Sequence, residues 1–568
     1  MTPRLANRRI RLLLALLGLA FVVMFGRAFW LQVVRAPSLE RLAARQHHET
    51  ITTPAGRGTI YDRMGAPLAI GEEATTVYAD PRQVLNAQKV AVAAGHALDI
   101  DANRLYPQLR NKKKSFVYVE RKADPERAAA LQRLGLAGVD FYPEERRSYP
   151  QHAVASQVLG YAGVDNTGVA GLEFGLQRIL GGRPGKETIV RDPFGRTIDV
   201  VSSTPEQPGR DVFLTLDHTL QAKVESVLRS TIEKWHALDG TAVVLDPTTG
   251  GVLAMATAPG FDANSFPSVP SVYQRNRAVT DTYEPGSTFK VVTYAAALTD
   301  GVVTPNSTFT LQPSIRVADR TIEEAEPRPV ETMSVAEMLA RSSNIGTITL
   351  AELLGRERLA KWITRFGFGK ATGIDFPGES PGIVLPADKW SGSTIGNVPI
   401  GQGIAVTPIQ MASAYAALAN RGVWMQPHLV DHVRGRKPAH VARRRIVSQA
   451  VATELMGMLQ GVVYGGGTGG EAAVPGYLTA GKTGTAAKPD ASGGYSDTKY
   501  VASFVGIVPA SAPQLVILVS IDEPQGQIFG GVVAAPAFRD IASFALQYLD
   551  VRPDDPASLK SAAGAPLG

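Results

Sequence analysis

The sequence contains no cysteine, so disulfides, thiolate nucleophiles and cysteine-ligated metal sites are excluded. Histidine is scarce too. The nine His residues show no His-Glu-x-x-His or related ligand spacing, and we predict no metal and no cofactor. Hydrophobic residues make up 44% and charged residues 19% of the 568 positions, which indicates a globular protein rather than a disordered one. This length predicts two or three domains.

Excess charge is nearly absent from most of the chain. The net charge is +6, and four arginines at the N-terminus supply +4 of it, which leaves +2 for the remainder. A nucleic-acid-binding protein carries its basic excess as a patch or stripe on a folded domain, so we expect no nucleic-acid partner. The four residues are Arg4, Arg8, Arg9 and Arg11.

Only one stretch is apolar enough to cross a membrane. It runs from Leu12 to Gly26 and resumes after Arg27, which brings it to the ~20 residues that a spanning helix needs. The preceding arginines place the N-terminus in the cytoplasm and the bulk of the chain outside it. No small-x-small site follows the apolar run, so we favour an uncleaved anchor over a cleaved signal peptide. The prediction is a cytoplasmic tail over 1–11 and a transmembrane anchor over 12–34.

Two folded regions follow the anchor. Residues 35–208 predict a mixed α/β module, and Glu206-Gln207-Pro208-Gly209 marks its boundary. Residues 209–551 predict a helix over 219–235, a hairpin over 241–256 and a closing helix from Pro536 to Leu549. Strands at both ends of a largely helical middle predict an antiparallel sheet covered by helices. After Val551 the chain is rich in Pro, Ala and Gly, so 552–568 are predicted to be disordered. The fold class is therefore α/β, of the α+β type.

Several charged residues of the first module fall among turn residues. We interpret them as ion pairs that brace this module against the next, and we assign them no chemistry. They are Arg146, Arg147, Glu173, Arg191 and Asp192.

A serine and a lysine open the best-defined helix of the second region. Pro285 and Gly286 turn the chain into an apolar run, so Ser287 falls in the first turn of a buried helix. Lys290 follows three residues later on the same face, with Cβ atoms roughly 5–6 Å apart. A serine hydroxyl needs a base to remove its proton. A neutral lysine can be that base, but keeping lysine neutral at pH 7 costs roughly 4.6 kcal/mol. Burial lowers the lysine pKa and so favours the neutral form. The alternative is a helix with a solvated surface lysine.

Two further motifs carry polar groups. Ser334 to Glu337 form a capping box that opens a helix running to Asn344, with Ser342 placed to relay a proton and Asn344 to orient an amide. This pair alone has little weight, because it fits many turns.

The segment Tyr477 to Ala486 reads as an extended strand, and it carries an ammonium, hydroxyls and a glycine that suit a carboxylate ligand. We also expect its lysine to lower the pKa of Lys290. The four residues are Lys482, Thr483, Gly484 and Thr485.

The same residues match a nucleotide-binding pattern. Gly476 to Thr483 reads Gly-x-x-x-x-Gly-Lys-Thr, and Gly465 to Gly470 satisfies Gly-x-Gly-x-x-Gly. Both patterns need a strand before and a helix after. The sequence predicts neither context, so we disfavour a P-loop protein.

The three motifs, found in this order, resemble those of the penicillin-binding proteins. The likeness covers nearly the whole chain and is strongest to the monofunctional class B members, with a non-catalytic pedestal and a transpeptidase domain. The size, the short tail and Ile521-Asp522-Glu523-Pro524 are most similar to division-specific members, with elongation-specific members as the alternative. Other segments that carry it are Arg57 to Arg63, Arg147 to Pro150, Gly171 to Glu173 and Gly401 to Gly403.

The resemblance implies a peptidoglycan D,D-transpeptidase that cross-links stem peptides of the septal wall through an acyl-enzyme. Ser287 would attack the D-Ala-D-Ala donor and release the terminal D-Ala, with Lys290 as the base. Ser342 would pass a proton to the leaving amine, and Asn344 would hold the donor amide. An acceptor amine from a neighbouring stem would then resolve the acyl-enzyme.

The strand would bind the other end of the donor. The resemblance implies that Lys482, Thr483 and Thr485 grip the terminal carboxylate, with Gly484 between the two hydroxyls. The backbone N–H groups of Ser287 and Thr485 would form the oxyanion hole. β-Lactam antibiotics would acylate the same serine.

The resemblance also implies a setting. The chain would sit in the inner membrane through one helix, with its catalytic domain in the periplasm at the septum and with division partners such as the glycan polymerase FtsW. Three alternatives remain from other classes: a serine β-lactamase, which lacks the long pedestal, a penicillin-sensing receptor, which usually has more membrane spans, and an inactive scaffold, which would have lost part of the motif set.

Overall fold

Two units make up the chain in the computed structural model, which describes residues 3–36, 48–191, 197–490 and 493–558. The first unit combines Met1–Gly56 with Gly182–Gly209, and the second combines Arg57–Gly181 with Arg210–Gly568.

Helices occupy both units. In chain order the α-helices of the described residues are α1 (Pro3–Phe29), α2 (Ala87–Leu98), α3 (Ala102–Arg110), α4 (Pro125–Gln132), α5 (Ser156–Leu159), α6 (Gly171–Gly175), α7 (Gln177–Leu180), α8 (His218–Trp235), α9 (Ser271–Gln274), α10 (Arg277–Thr280), α11 (Lys290–Thr299), α12 (Val335–Ala340), α13 (Asn344–Leu354), α14 (Arg356–Phe366), α15 (Thr394–Asn397), α16 (Pro408–Ala419), α17 (Gln449–Tyr464) and α18 (Gly530–Tyr548).

The described residues also form twenty strands. In chain order they are β1 (His48–Thr53), β2 (Ile60–Tyr61), β3 (Pro67–Ala79), β4 (Val117–Ala123), β5 (Val139–Ser148), β6 (Gly185–Arg191), β7 (Thr197–Thr204), β8 (Val212–Leu214), β9 (Asp239–Leu245), β10 (Val252–Ala258), β11 (Thr308–Leu311), β12 (Ser314–Val317), β13 (Arg320–Glu323), β14 (Glu331–Ser334), β15 (Val423–Met425), β16 (Val430–Val433), β17 (Arg443–Arg445), β18 (Ala480–Pro489), β19 (Tyr495–Val508) and β20 (Leu515–Asp522).

The first unit holds the apolar N-terminal helix. Helix α1 continues into a π-helical turn, Trp30–Val34, and the segment Asn7–Val34 is long and apolar enough to cross a membrane. No other helix in the described part of the chain meets both conditions. The predicted apolar helix is therefore confirmed, while its retention as an anchor stays a prediction. The same unit contains the antiparallel sheet β1-β6-β7.

The second unit begins with a sheet that crosses the predicted domain boundary. Strand β3 pairs with β2, β4 and β5, and helices α2, α3 and α4 cover a core that includes Val77, Leu109 and Leu131. Strand β2 also pairs in parallel with β8. One sheet therefore joins strands from either side of position 208. Strand β2 contributes only two residues, Ile60 and Tyr61, to this sheet.

A buried ion cluster joins three segments of this region. The Glu173 carboxylate accepts hydrogen bonds from Arg57 Nε and Arg147 Nε, both at 2.6 Å, and none of the three side chains is more than 2% exposed. Arg146 pairs instead with Glu72 on the surface. The predicted pairing of Arg147 with Glu173 is confirmed, but the cluster joins three segments within residues 35–208, so it does not brace that module against the next as predicted. Asp192 and the side chain of Arg191 lie outside the described residues.

A five-stranded antiparallel sheet, in the order β10-β9-β20-β19-β18, forms the centre of the remaining chain. Helices α8 and α18 pack on one face through residues such as Leu220 and Phe538. Helix α16 packs on the other, and its residues Met411 and Tyr415 are fully buried. The prediction of an antiparallel sheet covered by helices is confirmed. So are the hairpin formed by β9 and β10 and the helix at 219–235.

The end of the chain differs from the prediction in two places. Helix α18 begins at Gly530, not at Pro536, because burial of Val533 and Ala534 outweighs the backbone hydrogen bond that Pro536 removes inside the helix. Residues 552–558, predicted to be disordered, are described. Asp554 there accepts hydrogen bonds from Leu478 N at 2.8 Å and from a serine hydroxyl at 2.6 Å. Residues 559–568 lie outside the described residues.

We predict that Glu173→Ala strongly destabilises the second unit. The change would leave two buried guanidinium groups without their carboxylate, which costs about 3–5 kcal/mol. Urea denaturation of the full chain in detergent, followed by tryptophan fluorescence, measures the loss. Glu72→Ala is the matched control, because its ion pair with Arg146 is solvent-exposed and such pairs contribute about 0–1 kcal/mol. Equal shifts in the two variants would contradict the assignment.

Candidate active site

Ser287 lies in a tight turn directly ahead of a buried helix. The turn is a 3-10 helix, Gly286–Phe289, and it runs straight into α11. All residues from Lys290 to Leu298 are buried, as expected for a helix that is apolar on every side. Ser287 itself is partly exposed. The fold thus presents one hydroxyl at the open end of an otherwise inaccessible helix.

Lys290 joins the first two motifs. Its side chain is 0% exposed, and its Nζ donates hydrogen bonds to Ser342 O at 2.6 Å, to Ser342 Oγ at 3.3 Å and to Asn344 Oδ1 at 2.8 Å. The amine therefore contacts both polar residues of the second motif. All three of its partners are neutral oxygens.

The second motif sits at a break between helices. The capping box at Ser334 and Glu337 is present, but α12 ends at Ala340 and α13 begins at Asn344. The sequence predicted one continuous helix, which is wrong. The reason is Ser342, whose φ of 58° is left-handed and ends a helix. This conformation presents both the carbonyl and the hydroxyl of Ser342 to Lys290.

Strand β18 brings the third motif against the serine turn. A Cβ atom placed on Gly484 would lie 2.4 Å from Ser503 Oγ and 3.0 Å from both Pro285 O and Thr288 Cγ2. Only glycine permits this approach. Because β18 is an edge strand of the sheet, its other side is free of sheet hydrogen bonds and borders the turn. The predicted extended segment is confirmed from Ala480 onward, and the strand continues to Pro489, but Tyr477 to Thr479 lie outside it.

The polar side chains of β18 already form some hydrogen bonds within the protein. Lys482 is 0% exposed, and its Nζ donates to Thr483 O at 3.2 Å and to Thr483 Oγ1 at 3.3 Å. The Thr483 hydroxyl also shares a hydrogen bond of 2.6 Å with Thr468. Thr485 Oγ1 accepts from Gly530 N at 3.2 Å. The two threonines follow the period of two that a strand requires.

Burial sets the protonation of the two lysines. It lowers the pKa of Lys290 to about 7, with a smaller lowering from Arg328 and an opposing contribution from Glu324. Burial, followed by repulsion from the Lys290 charge, lowers the pKa of Lys482 well below its usual range. The expected effect of burial on the pKa of Lys290 is thus confirmed, but the added lowering expected from Lys482 is not found, because the repulsion between the two amines lowers the pKa of Lys482 instead.

Glu324 is the residue that sequence reasoning missed. It follows β13 and lies 20 positions before Asn344, so no local pattern marks it. Its carboxylate accepts from Ser343 Oγ and from Asn344 N, the latter at 2.7 Å, and so caps the start of α13. Ser343 caps the same helix by accepting from Gly346 N at 2.9 Å. Together they fix the loop that contacts Lys290.

The nucleotide-binding pattern lacks the required context. Gly481, Lys482 and Thr483 lie inside a strand that continues six residues further, and no helix begins there. Helix α17, not a strand, precedes Gly465. The disfavoured P-loop interpretation thus has no support in the described fold.

One group of possible metal ligands exists in the described chain: Asp62, Asp217 and His218. Asp62 accepts from Met64 N at 2.9 Å and Ala66 N at 2.8 Å and contacts His218 Nδ1 at 2.5 Å. Asp217 caps α8. These contacts account for the carboxylates as structural groups, and the absence of a metal stays a prediction.

These residues supply the groups that a serine acyl transfer would need, namely a serine at the head of a buried helix, two buried lysines and a glycine-bearing edge strand. Comparison with known families agrees. Residues 240–543 match the penicillin binding protein transpeptidase domain, and residues 52–214 match the penicillin-binding protein dimerisation domain. The chain belongs to the class B penicillin-binding protein family.

Particular relatives support this placement. The chain is 33% identical over 553 residues to the peptidoglycan D,D-transpeptidase FtsI of Escherichia coli K12, covering 96% of this chain and 92% of that protein. It is 35% identical over 562 residues to stage V sporulation protein D of Bacillus subtilis, covering 96% and 86%. Penicillin binding protein 3 from Mycobacterium tuberculosis has a similar structure, with a TM-score of 0.70, 30% identity and coverage of 89% and 99%. That protein has also been solved with aztreonam and with ampicillin.

We predict that acylation of Ser287 by a penicillin rises with pH through about 7, the pKa of Lys290. Below that pH the amine is protonated and cannot accept a proton, so the rate should fall about tenfold per pH unit. Stopped-flow labelling between pH 5 and pH 9 gives the profile. Lys290→Arg keeps the charge but cannot act as a base, so near wild-type acylation by that variant would remove Lys290 from the role.

We predict that Glu324→Gln shifts the acidic side of the pH profile of acylation to lower pH. The Glu324 charge raises the pKa of Lys290, so its removal should lower that pKa and make the amine neutral in more acidic solution. The glutamine oxygen can still accept one of the two capping hydrogen bonds. Glu326→Gln, a substitution at an exposed residue two positions on, is the control and should leave the profile in place. An unchanged profile in Glu324→Gln would contradict the electrostatic link.

Proposed function

We propose that this chain is a peptidoglycan D,D-transpeptidase that works through an acyl-enzyme on Ser287. The observation that carries the proposal is the buried amine of Lys290, which starts the helix after the serine turn and contacts both Ser342 and Asn344. Membership of the transpeptidase family and the names of its relatives support the same reaction. The donor is the D-Ala-D-Ala end of a stem peptide.

The first step is attack by Ser287 on the penultimate carbonyl. A neutral lysine has two N–H bonds and one lone pair. The two shortest contacts of Lys290, to Ser342 O and Asn344 Oδ1, use both N–H bonds on oxygens that only accept. The lone pair is left for a hydroxyl, and it takes the serine proton as the C–O bond forms.

Collapse of the tetrahedral intermediate needs a proton on the leaving nitrogen. The Ser342 hydroxyl lies 3.3 Å from Lys290 Nζ, and it passes the proton from the lysine to the terminal D-Ala amine. Asn344 holds the donor amide through its Nδ2, which now donates to Glu323 O at 3.1 Å. The C–N bond breaks, D-Ala leaves, and the acyl group stays on Ser287.

Strand β18 binds the terminal carboxylate. Lys482 is buried and holds no carboxylate partner in the described protein, so an incoming carboxylate favours its ammonium form. Thr483 and Thr485 add hydroxyl donors, and Gly484 keeps the strand close to the turn. The N–H groups of Ser287 and Thr485 serve as the oxyanion hole, where loss of one donor typically costs about 10²–10³ in rate.

An amine from a second stem peptide completes the cycle. It attacks the acyl carbonyl and gives its proton to the lysine. The bond between the acyl carbon and Ser287 Oγ then breaks, the lysine returns the proton to Oγ, and the new amide is the cross-link. Water in place of the amine would give hydrolysis, a carboxypeptidase-like side reaction. β-Lactams acylate the same serine, in keeping with the antibiotic complexes of penicillin binding protein 3 from Mycobacterium tuberculosis.

The setting we propose is the inner membrane at the division septum. Helix α1 anchors the chain, its arginines lie in the cytoplasm and the transpeptidase domain works in the periplasm. Septal work is favoured by the likeness to FtsI, and the glycan polymerase FtsW is the proposed partner. Fluorescence imaging of the tagged chain in growing cells separates this from lateral wall work, since an elongation enzyme would not concentrate at mid-cell.

We predict that Ser287→Ala abolishes covalent labelling by a fluorescent penicillin and release of D-Ala from a stem peptide. The fold should survive, because Ser287 is partly exposed and the substitution removes one atom. Gel fluorescence and a D-Ala assay measure the two losses, and the thermal unfolding midpoint checks the fold. Ser343→Ala is not a suitable control, because that side chain caps α13, so the exposed Ser391→Ala is used instead. Labelling that persists in Ser287→Ala would falsify the nucleophile assignment.

A further inference from the structure

A cavity of about 320 Å³ lies away from the three motifs. It is lined by the end of α14, the segment after it, α16 and the strand pair β15–β17. Two cations, two aromatic rings and several hydroxyls line it, and none of its described lining residues is acidic. The lining residues used below are Phe366, Lys370, Thr372, Ser413, Trp424 and Arg444.

Arg444 is the half-buried cation of the cavity. Its guanidinium is half-buried and donates to Arg365 O and, at 3.2 Å, to Phe366 O, which are the last carbonyls of α14. It stands 4.6 Å from the centre of the Trp424 ring. No carboxylate of the described residues is recorded as its ion-pair partner, and burial, with repulsion from Arg365, lowers the pKa of this guanidinium. A guanidinium has five N–H donors, so some remain for a ligand.

Ser413 is a buried hydroxyl of the cavity wall. It is 2% exposed, and its hydroxyl has no hydrogen-bond partner among the described residues, although it lines the cavity. Buried hydroxyls are normally paired. An oxygen of a bound ligand would complete this one.

Glu379, which binds Thr372 of the lining, does not offset the positive charge of the two cations. Glu379 accepts from Thr372 N and Thr372 Oγ1, both at 2.6 Å, and from Gly373 N at 3.0 Å. Its carboxylate is thus held by a turn and is not part of the lining. Lys370 adds a second, exposed cation at the rim. The electrostatics and the open donors all favour an anion.

Two contacts connect this cavity to the serine turn. Helix α16 carries Ser413 and, two residues later, Tyr415, whose hydroxyl donates to Thr288 O at 2.7 Å. On the other side, the ring of Phe368 packs 5.1 Å from that of Phe289. Both Thr288 and Phe289 belong to the turn that holds Ser287.

We propose that this cavity is a regulatory site for a small anion, bound by Arg444, Lys370 and the Ser413 hydroxyl, and that α16 transmits its occupancy to the serine turn. The ligand carries a carboxylate or a phosphate. Its body is small and partly apolar, because the cavity is at the lower limit of ligand pockets and Phe366 and Trp424 form part of its wall.

Binding is tested with the full chain in detergent by isothermal titration calorimetry at constant ionic strength. Inorganic phosphate and benzoate are the two probes. Saturable binding of phosphate alone points to a free phosphate group, and preferential binding of benzoate points to a carboxylate on an apolar body. Saturation with neither probe would overturn the site.

Matched variants locate the bound anion. Arg444→Gln should weaken binding at least tenfold. Arg443→Gln removes the same charge from the same strand, but a strand alternates its faces, so it should change affinity less than twofold. Since Arg444 also caps α14, the exposed Lys370→Gln is the second test and should weaken binding severalfold. Equal losses in Arg443→Gln and Arg444→Gln would overturn the assignment.

Coupling is measured separately, by the rate at which a fluorescent penicillin labels Ser287. Saturating probe should change that rate at least twofold in the wild type and leave it unchanged in Arg444→Gln. A wild-type rate that does not respond would overturn the regulatory role. Because calorimetry does not require acylation, failure of the anion site and failure of the proposed transpeptidase reaction give different results.

Discussion

Burial of the Lys290 amine is the constraint on which the rest of the site depends. An amine that is 0% exposed and bonded only to neutral oxygens loses its hydration and finds no compensating charge at hydrogen-bond distance. Its pKa falls to about 7 for that reason. Lys290 opens the buried helix α11, and the break between helices at Ser342 supplies oxygens that its amine contacts.

Close backbone approach is the second requirement, and glycine satisfies it at two points. Gly484 lets β18 pass within contact distance of Pro285 and Thr288, and a Cβ on Gly401 would lie 2.1 Å from Gly286 O. Gly286 N in turn donates to Gly401 O at 3.1 Å. The turn is therefore held between a sheet edge and a loop, both without intervening side chains, so its hydroxyl is positioned by rigid backbone rather than by mobile groups.

Local signals in the sequence predicted the elements that carry the motifs but not the geometry that joins them. The buried helix after Ser287, the capping box at Ser334 and the strand around Lys482 each follow from residue pattern. The left-handed Ser342 does not, because serine has no preference that marks it. Glu324 does not either, since it reaches Asn344 through a hairpin whose fold depends on tertiary packing. The same holds for the sheet pairing of β2 with β8.

Two buried ionisable side chains of this protein, Glu173 and Lys290, lie in opposite electrostatic surroundings. Glu173 is 0% exposed like Lys290, yet it is bracketed by Arg57 and Arg147 at 2.6 Å, so its charge is fully compensated. A group held in that way stabilises structure and is chemically inert. Lys290 has no such partner, and the protein accepts the cost of keeping it close to neutral at physiological pH. That unpaired burial, at the open end of a helix beside a partly exposed hydroxyl, is what distinguishes a group prepared for proton transfer from one that only holds segments together.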